Sequence, residues 1–139
     1  ALFVTLDSVT GKLYLPSLKK EVTISDTIGF IKDLPPSLIE SFKSTLLESI
    51  NADIILHVID IKDPEMDQKI AIVNIILREL EVHSKKIIYV FNKIDAFKGN
   101  AEELLKKINK AYALNSPQYI SVTTDYGINK LLTEVEKQL

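Results

Sequence analysis

The chain is 139 residues long, 46% apolar and 26% charged, with 17 basic and 19 acidic side chains and a net charge of −2. Such a length and composition fit one globular domain and exclude both a disordered chain and a whole-chain basic field for nucleic acid. The lack of cysteine excludes disulfide scaffolds, thiolate metal sites and thiol nucleophiles, and no apolar run reaches the roughly 20 residues that span a bilayer.

In chain order, residues 12–15 and 21–25 are short alternating or β-branched segments. Pro16, Ser17, Leu18 and Lys19 lie between them, which predicts an antiparallel hairpin. Residues 37–49 follow Pro36 and set Leu38, Phe42, Thr45 and Leu46 on one helical stripe. DIILHVID at 53–60 is a continuous apolar run between two aspartates. Residues 65–80 are helical, with Ile70, Val73, Leu77 and Leu80 at the repeat. KIIYVF at 86–91 is a second apolar run, and 101–112 a further helix through Leu104, Leu105, Ile108 and Tyr112. QYISV at 118–122 is the third run, and 128–139 the last helix, through Ile128, Leu131, Leu132 and Val135. Continuous apolar runs of this length predict strands buried on both faces. Their alternation with amphipathic helices predicts a three-layer α/β fold, its sheet mostly parallel with one antiparallel strand from the hairpin.

In such sheets ligands bind beyond the carboxyl ends of the strands. Three polar segments stand there: Asp26-Thr27-Ile28-Gly29-Phe30, Asn92-Lys93-Ile94-Asp95 and Ser121-Val122-Thr123. Singly, each reads as turn and cap chemistry. Together and in this order, D-x-x-G, then N-K-x-D, then a serine at a strand end, they resemble the signature of the GTPases. The chemistry suits guanine. A carboxylate at Asp95 accepts two hydrogen bonds, from N1–H and the exocyclic amine, whereas adenine would leave it unpaired, an expensive mismatch. Asn92 would hold the loop and reach N7, Lys93 would lay its aliphatic stem along the base, and a backbone N–H near Ser121 and Val122 would meet O6. By the same resemblance Asp26 would hold Mg²⁺ through water, and the Gly29 N–H would meet the γ-phosphate, an approach that a missing Cβ permits.

A more specific resemblance covers residues 1 to about 130. Leu2-Phe3-Val4-Thr5-Leu6-Asp7, Asp26-Thr27-Ile28-Gly29-Phe30-Ile31-Lys32-Asp33-Leu34-Pro35, Phe42-Lys43-Ser44-Thr45-Leu46 and the segment from Ala52 to Asp60 are similar to those of the HflX family, with 26–46 the most specific part. The resemblance implies a Ras-like phosphate-loop GTPase fold, GTP or GDP as ligand with Mg²⁺, slow hydrolysis of GTP to GDP, and nucleotide-dependent association with the large ribosomal subunit. It implies a cytoplasmic protein with no membrane and no sequence-specific DNA among its partners. Thr5 would be the switch threonine, its hydroxyl on Mg²⁺ and its backbone toward the γ-phosphate and attacking water. Phe30 stands where many GTPases place a water-orienting glutamine, and a phenyl ring cannot orient water.

The phosphate-loop pattern G-x-x-x-x-G-K-[ST] is absent. The glycines are Gly11, Gly29, Gly99 and Gly127, and around the one Gly-Lys pair Leu6 and Leu13 stand where Gly and Ser or Thr are needed. The chain opens Ala-Leu-Phe, not Met, and no leader is visible. It therefore reads as the C-terminal larger part, residues 1–139, of one GTPase domain whose first strand and phosphate loop lie upstream. That strand would lie mid-sheet, and without it the sheet has a gap. The competing reading is a non-hydrolysing interaction module that has lost its phosphate loop; a weaker one is a receiver-like α/β domain.

Other polar residues carry ordinary readings. His57 is expected to be a core histidine with a satisfied hydrogen bond, and His83 a loop residue. Asp60 and Asp63-Pro64 are expected to shape a loop and cap the helix that starts at Glu65. Lys19-Lys20, Lys85-Lys86 and Lys106-Lys107 read as solvated faces that could meet ribosomal RNA.

Overall fold

β1 (Val9–Leu15) and β2 (Lys20–Asp26) form the expected antiparallel hairpin, in register from Val9 opposite Asp26 to Leu15 opposite Lys20. The computed structural model describes residues 9–15, 18–26, 52–79, 81 and 85–139. The helix expected at 37–49 lies outside the described residues. Lys19 takes a left-handed conformation (φ 48°) to close the turn. At the end of β1 the alternation is plain: Tyr14 is exposed and Leu15 fully buried.

The chain divides into two compact units, residues 1–52 with 71–84, and residues 53–70 with 85–139. In the second, β3 (Ile54–Asp60), β4 (Lys86–Asn92) and β5 (Gln118–Tyr119) form a parallel sheet in that order. The register runs from Ile54 opposite Lys86 to Asp60 opposite Asn92, then Val90 opposite Gln118 and Phe91 opposite Tyr119. The hairpin is a separate two-stranded sheet.

Three α-helices are described, α1 (Met66–Glu79), α2 (Ala101–Ala111) and α3 (Ile128–Gln138). One sheet face buries Ile59, Tyr89 and Phe91 with Ile61, Met66 and Ile70 at the start of α1 and Ile108 of α2. The other buries Ile88, Val90 and Ile120 with Leu131 of α3. Helices on both faces make the three layers. Each fully buried Phe or Ile contributes about 1.5–3 kcal/mol. Tyr119 stacks on Phe91 with ring centroids 5.7 Å apart, which fixes the short strand β5 against β4. The Asn100 side chain accepts the Glu103 N–H at 3.1 Å and caps α2, a contribution of about 1 kcal/mol.

Three expectations are corrected. β4 is buried on both faces, but on β3 Leu56 and Val58 are exposed. β4 is the middle strand, whereas α3 packs on Ile88, Val90 and Ile54 without covering those two residues. His57 departs from the hydrogen-bonded core histidine expected: among the described residues its buried Nδ1 has no partner. Its ring instead meets Tyr89 edge to face at 5.2 Å, and burial lowers its pKa to about 4. The third run is also shorter than expected. Beyond Tyr119 the chain turns, and Ser121 bridges back to Tyr126.

Candidate nucleotide-binding site

The strands β3, β4 and β5 are parallel, so their carboxyl ends share one rim. β4 ends at Asn92. Lys93 then turns the chain in the left-handed region (φ 70°, ψ 30°) and a 3₁₀ turn, Ile94–Ala96, carries Asp95. A lysine in that region costs about 1–2 kcal/mol. Neighbouring contacts hold it there: the Ile94 N–H donates to the Ile120 carbonyl at 3.2 Å, and the Ala96 N–H to the Lys93 carbonyl at 3.0 Å. Strain fixed by surrounding structure is a recurrent feature of ligand loops.

The loop is tied to both neighbouring strands. On the β5 side, Asn92 Oδ1 accepts the Val122 N–H at 3.3 Å. On the β3 side, the Asn92 carbonyl accepts the Ile61 N–H at 3.1 Å. Lys93 Nζ lies 3.1 Å from Asp60 Oδ2. The other oxygen of Asp60 accepts the Lys62 N–H at 2.9 Å. Partial burial raises the Asp60 pKa, but the Lys62 N–H and the Lys93 ammonium outweigh it and hold the carboxyl below its ordinary value. Ser121 is fully buried. Its Oγ accepts the Thr124 N–H at 3.1 Å, and its N–H donates to the Tyr126 carbonyl at 3.0 Å, so it shapes the turn that presents Val122. Val122 is exposed.

The Asn92–Val122 and Ile94–Ile120 hydrogen bonds thus bring the Asn92–Lys93 and Ser121–Val122 segments together, with Asp95 one turn beyond. Asp95 is exposed, free to accept hydrogen bonds from a ligand. Thr5 and Gly29 lie outside the described residues, and Asp26 is described only as the last backbone residue of β2, opposite Val9. Among the described residues no group of three His, Cys, Asp or Glu side chains could hold a metal ion. Asp63 accepts the Glu65 N–H at 2.8 Å and pairs with Lys69, in keeping with its reading as a loop and helix-start residue. Asp60 does more than that reading gave it, through its pair with Lys93. A signal was available: β3 and β4 are parallel apolar runs of 7 residues, ending in Asp60 and Asn92, and aligning their ends sets these two residues opposite each other.

The chain is similar to a solved GTP-binding protein from the hyperthermophilic archaeon Sulfolobus solfataricus in complex with GDP, with a TM-score of 0.74 and 27% identity over 94% of this chain and 43% of that one. The layered parallel sheet and the N-K-x-D loop on its rim define a domain of the phosphate-loop GTPase fold. GTPase HflX of Caldanaerobacter subterraneus subsp. tengcongensis is 43% identical over 138 residues, 99% of this chain and 30% of that protein. GTPase HflX of Lacrimispora saccharolytica is 42% identical over 135 residues, 97% of this chain and 30% of that protein. Residues 1–93 match the sequence profile of the 50S ribosome-binding GTPases, and the chain belongs to that family, in its HflX branch. It spans about 30% of the length of these curated relatives. Among the described residues no helix is long and apolar enough to cross a membrane.

Proposed function

We propose that this chain supplies the guanine-recognising part of a cytoplasmic GTPase that hydrolyses GTP to GDP and associates with the large ribosomal subunit according to its nucleotide. The observation that carries the reading is the Asn92–Asp95 loop, tied to Val122 by the asparagine side chain and holding Lys93 in a left-handed turn. Asp95 would accept N1–H and the exocyclic amine of guanine in a charge-assisted pair. Lys93 would cover one face of the base with its stem. The backbone N–H that meets O6 would come from near Val122, the N–H groups of Ser121 and Val122 themselves being given to the Tyr126 carbonyl and to Asn92 Oδ1. Mg²⁺ would offset phosphate charge, with Thr5 and Asp26 as the residues that hold it. Thr5 and Gly29 would face the γ-phosphate and the attacking water. With Phe30 beside Gly29, no side chain at that position orients water, so intrinsic hydrolysis is slow and a partner such as the ribosome completes the site. Release of the γ-phosphate frees the segments around Thr5 and Gly29 and changes affinity for the subunit.

The test uses the full-length protein that contains this sequence. It should bind GDP and not ADP. Asp95→Asn turns one acceptor into a donor, which suits the 2-oxo group of xanthine and not the amine of guanine. GDP affinity should fall about 100-fold or more, and xanthosine diphosphate should become the better ligand. Wild-type protein that binds neither GDP nor GTP would leave the interaction module as the better reading.

A further inference from the structure

We propose that Asp60 is a positioning residue for guanine recognition: it holds the Lys93 ammonium and so fixes the aliphatic stem of that lysine where the base will lie. The inference rests on the guanine reading above and adds a residue from outside the N-K-x-D loop to it. Asp60 is the last residue of β3 and stands opposite Asn92 in the parallel register. One carboxylate oxygen is fixed by the Lys62 N–H at 2.9 Å. The other lies 3.1 Å from Lys93 Nζ. Its own backbone carbonyl accepts the Asp63 N–H at 3.1 Å, and the next residue, Ile61, donates to the Asn92 carbonyl at 3.1 Å. The carboxylate is therefore mounted on a turn whose backbone is already tied to the loop it serves.

A lysine stem has four rotatable bonds, and about 2 kcal/mol of rotamer freedom opposes any single placement. Lys93 is the left-handed residue of the turn, so its Cα–Cβ direction is set by the backbone and its far end by Asp60. A stem held at both ends meets the base with less freedom left to lose. Asp60 and Lys93 are both partly exposed, with side chains 38% and 50% accessible. Pairs of that exposure are modest and are screened by salt, which gives the proposal a signature.

The experiment measures GDP release from the full-length protein across a range of ionic strength, for wild type, Asp60→Asn, Lys93→Met and the double variant. Asp60→Asn keeps an acceptor for the Lys62 N–H and removes the charge. It should speed GDP release about threefold to fivefold. Lys93→Met keeps the stem and removes the ammonium. In the Asp60→Asn background it should add much less than it does alone. The part of the salt dependence that separates wild type from Lys93→Met should also be absent from Asp60→Asn. Unchanged release in Asp60→Asn, or additive effects in the double variant, would overturn the proposal. If Asp60→Asn did not fold, Lys93→Met alone would decide, since a positioning pair requires it to lose salt dependence. Wild-type protein with no preference for GDP over ADP would overturn the guanine reading itself, a result distinguishable from either of these.

Discussion

His57 shows what one residue can carry that composition does not announce. It lies in β3 against Tyr89 with a buried Nδ1 that no group among the described residues satisfies. Burial disfavours the imidazolium and lowers the folded-state pKa to about 4. The unfolded value is near 6.5. As pH falls below about 6.5 the unfolded chain takes up a proton that the folded chain refuses, so stability declines until the folded pKa is reached. The loss should be about 2 kcal/mol by pH 5 and level off below pH 4. His57→Leu removes the titrating group and the unsatisfied nitrogen together. Its melting temperature should fall less than that of wild type between pH 7 and pH 5; equal falls would show that His57 does not titrate there. The sequence placed His57 in a core strand correctly. It could not place the missing partner, because hydrogen-bond satisfaction depends on which chains pack above the strand. Asn92, Lys93 and Asp95 were legible as a set because four consecutive positions carry their spacing and their chemistry together. The Asp60–Lys93 pair joins positions 33 apart, and strand register alone makes it.

The elements followed their patterns closely where the pattern was long. The periodic segments at 65–80, 101–112 and 128–139 became Met66–Glu79, Ala101–Ala111 and Ile128–Gln138. The shortest run was least well read: QYISV pairs as a strand only at Gln118–Tyr119. The reason lies at Gly127, just before α3. Its φ is +73°, and a Cβ there would sit 2.1 Å from the Tyr119 carbonyl oxygen. That close approach lets the chain double back so that Ser121 meets Tyr126, which ends the strand and starts the helix. Gly127→Ala should therefore cost more than the about 1–2 kcal/mol of a left-handed alanine, because the backbone of β5 must also move. A melt of this variant should show the loss, and GDP binding should weaken with it, since the displaced turn presents Val122. A melting temperature equal to wild type would mean that the turn has room that the geometry denies it.

For the whole molecule, a three-layer α/β class followed from the alternation of apolar runs and amphipathic stripes, and the parallel register of β3, β4 and β5 puts their polar exits on one rim. Buried area alone does not say what that rim does. Its chemistry does, through an accessible Asp95 and a left-handed Lys93 held by contacts from both neighbouring strands. These contacts exist only in the folded chain, so a nucleotide that uses them stabilises folded protein and not unfolded. At a ligand concentration about 100 times Kd the stabilisation is about 2.7 kcal/mol. For a unit of this size each kcal/mol corresponds to about 2–4 °C in Tm. GDP should raise the Tm of the full-length protein by about 5–10 °C, and ADP should leave it unchanged. ADP fails because adenine presents an unprotonated N1 and a C2–H where Asp95 needs two donors. Equal shifts with GDP and ADP would mean that phosphate contacts alone bind the nucleotide and that the Asp95 loop takes no part. A shift with neither would mean that this rim, for all its resemblance, does not hold a nucleotide.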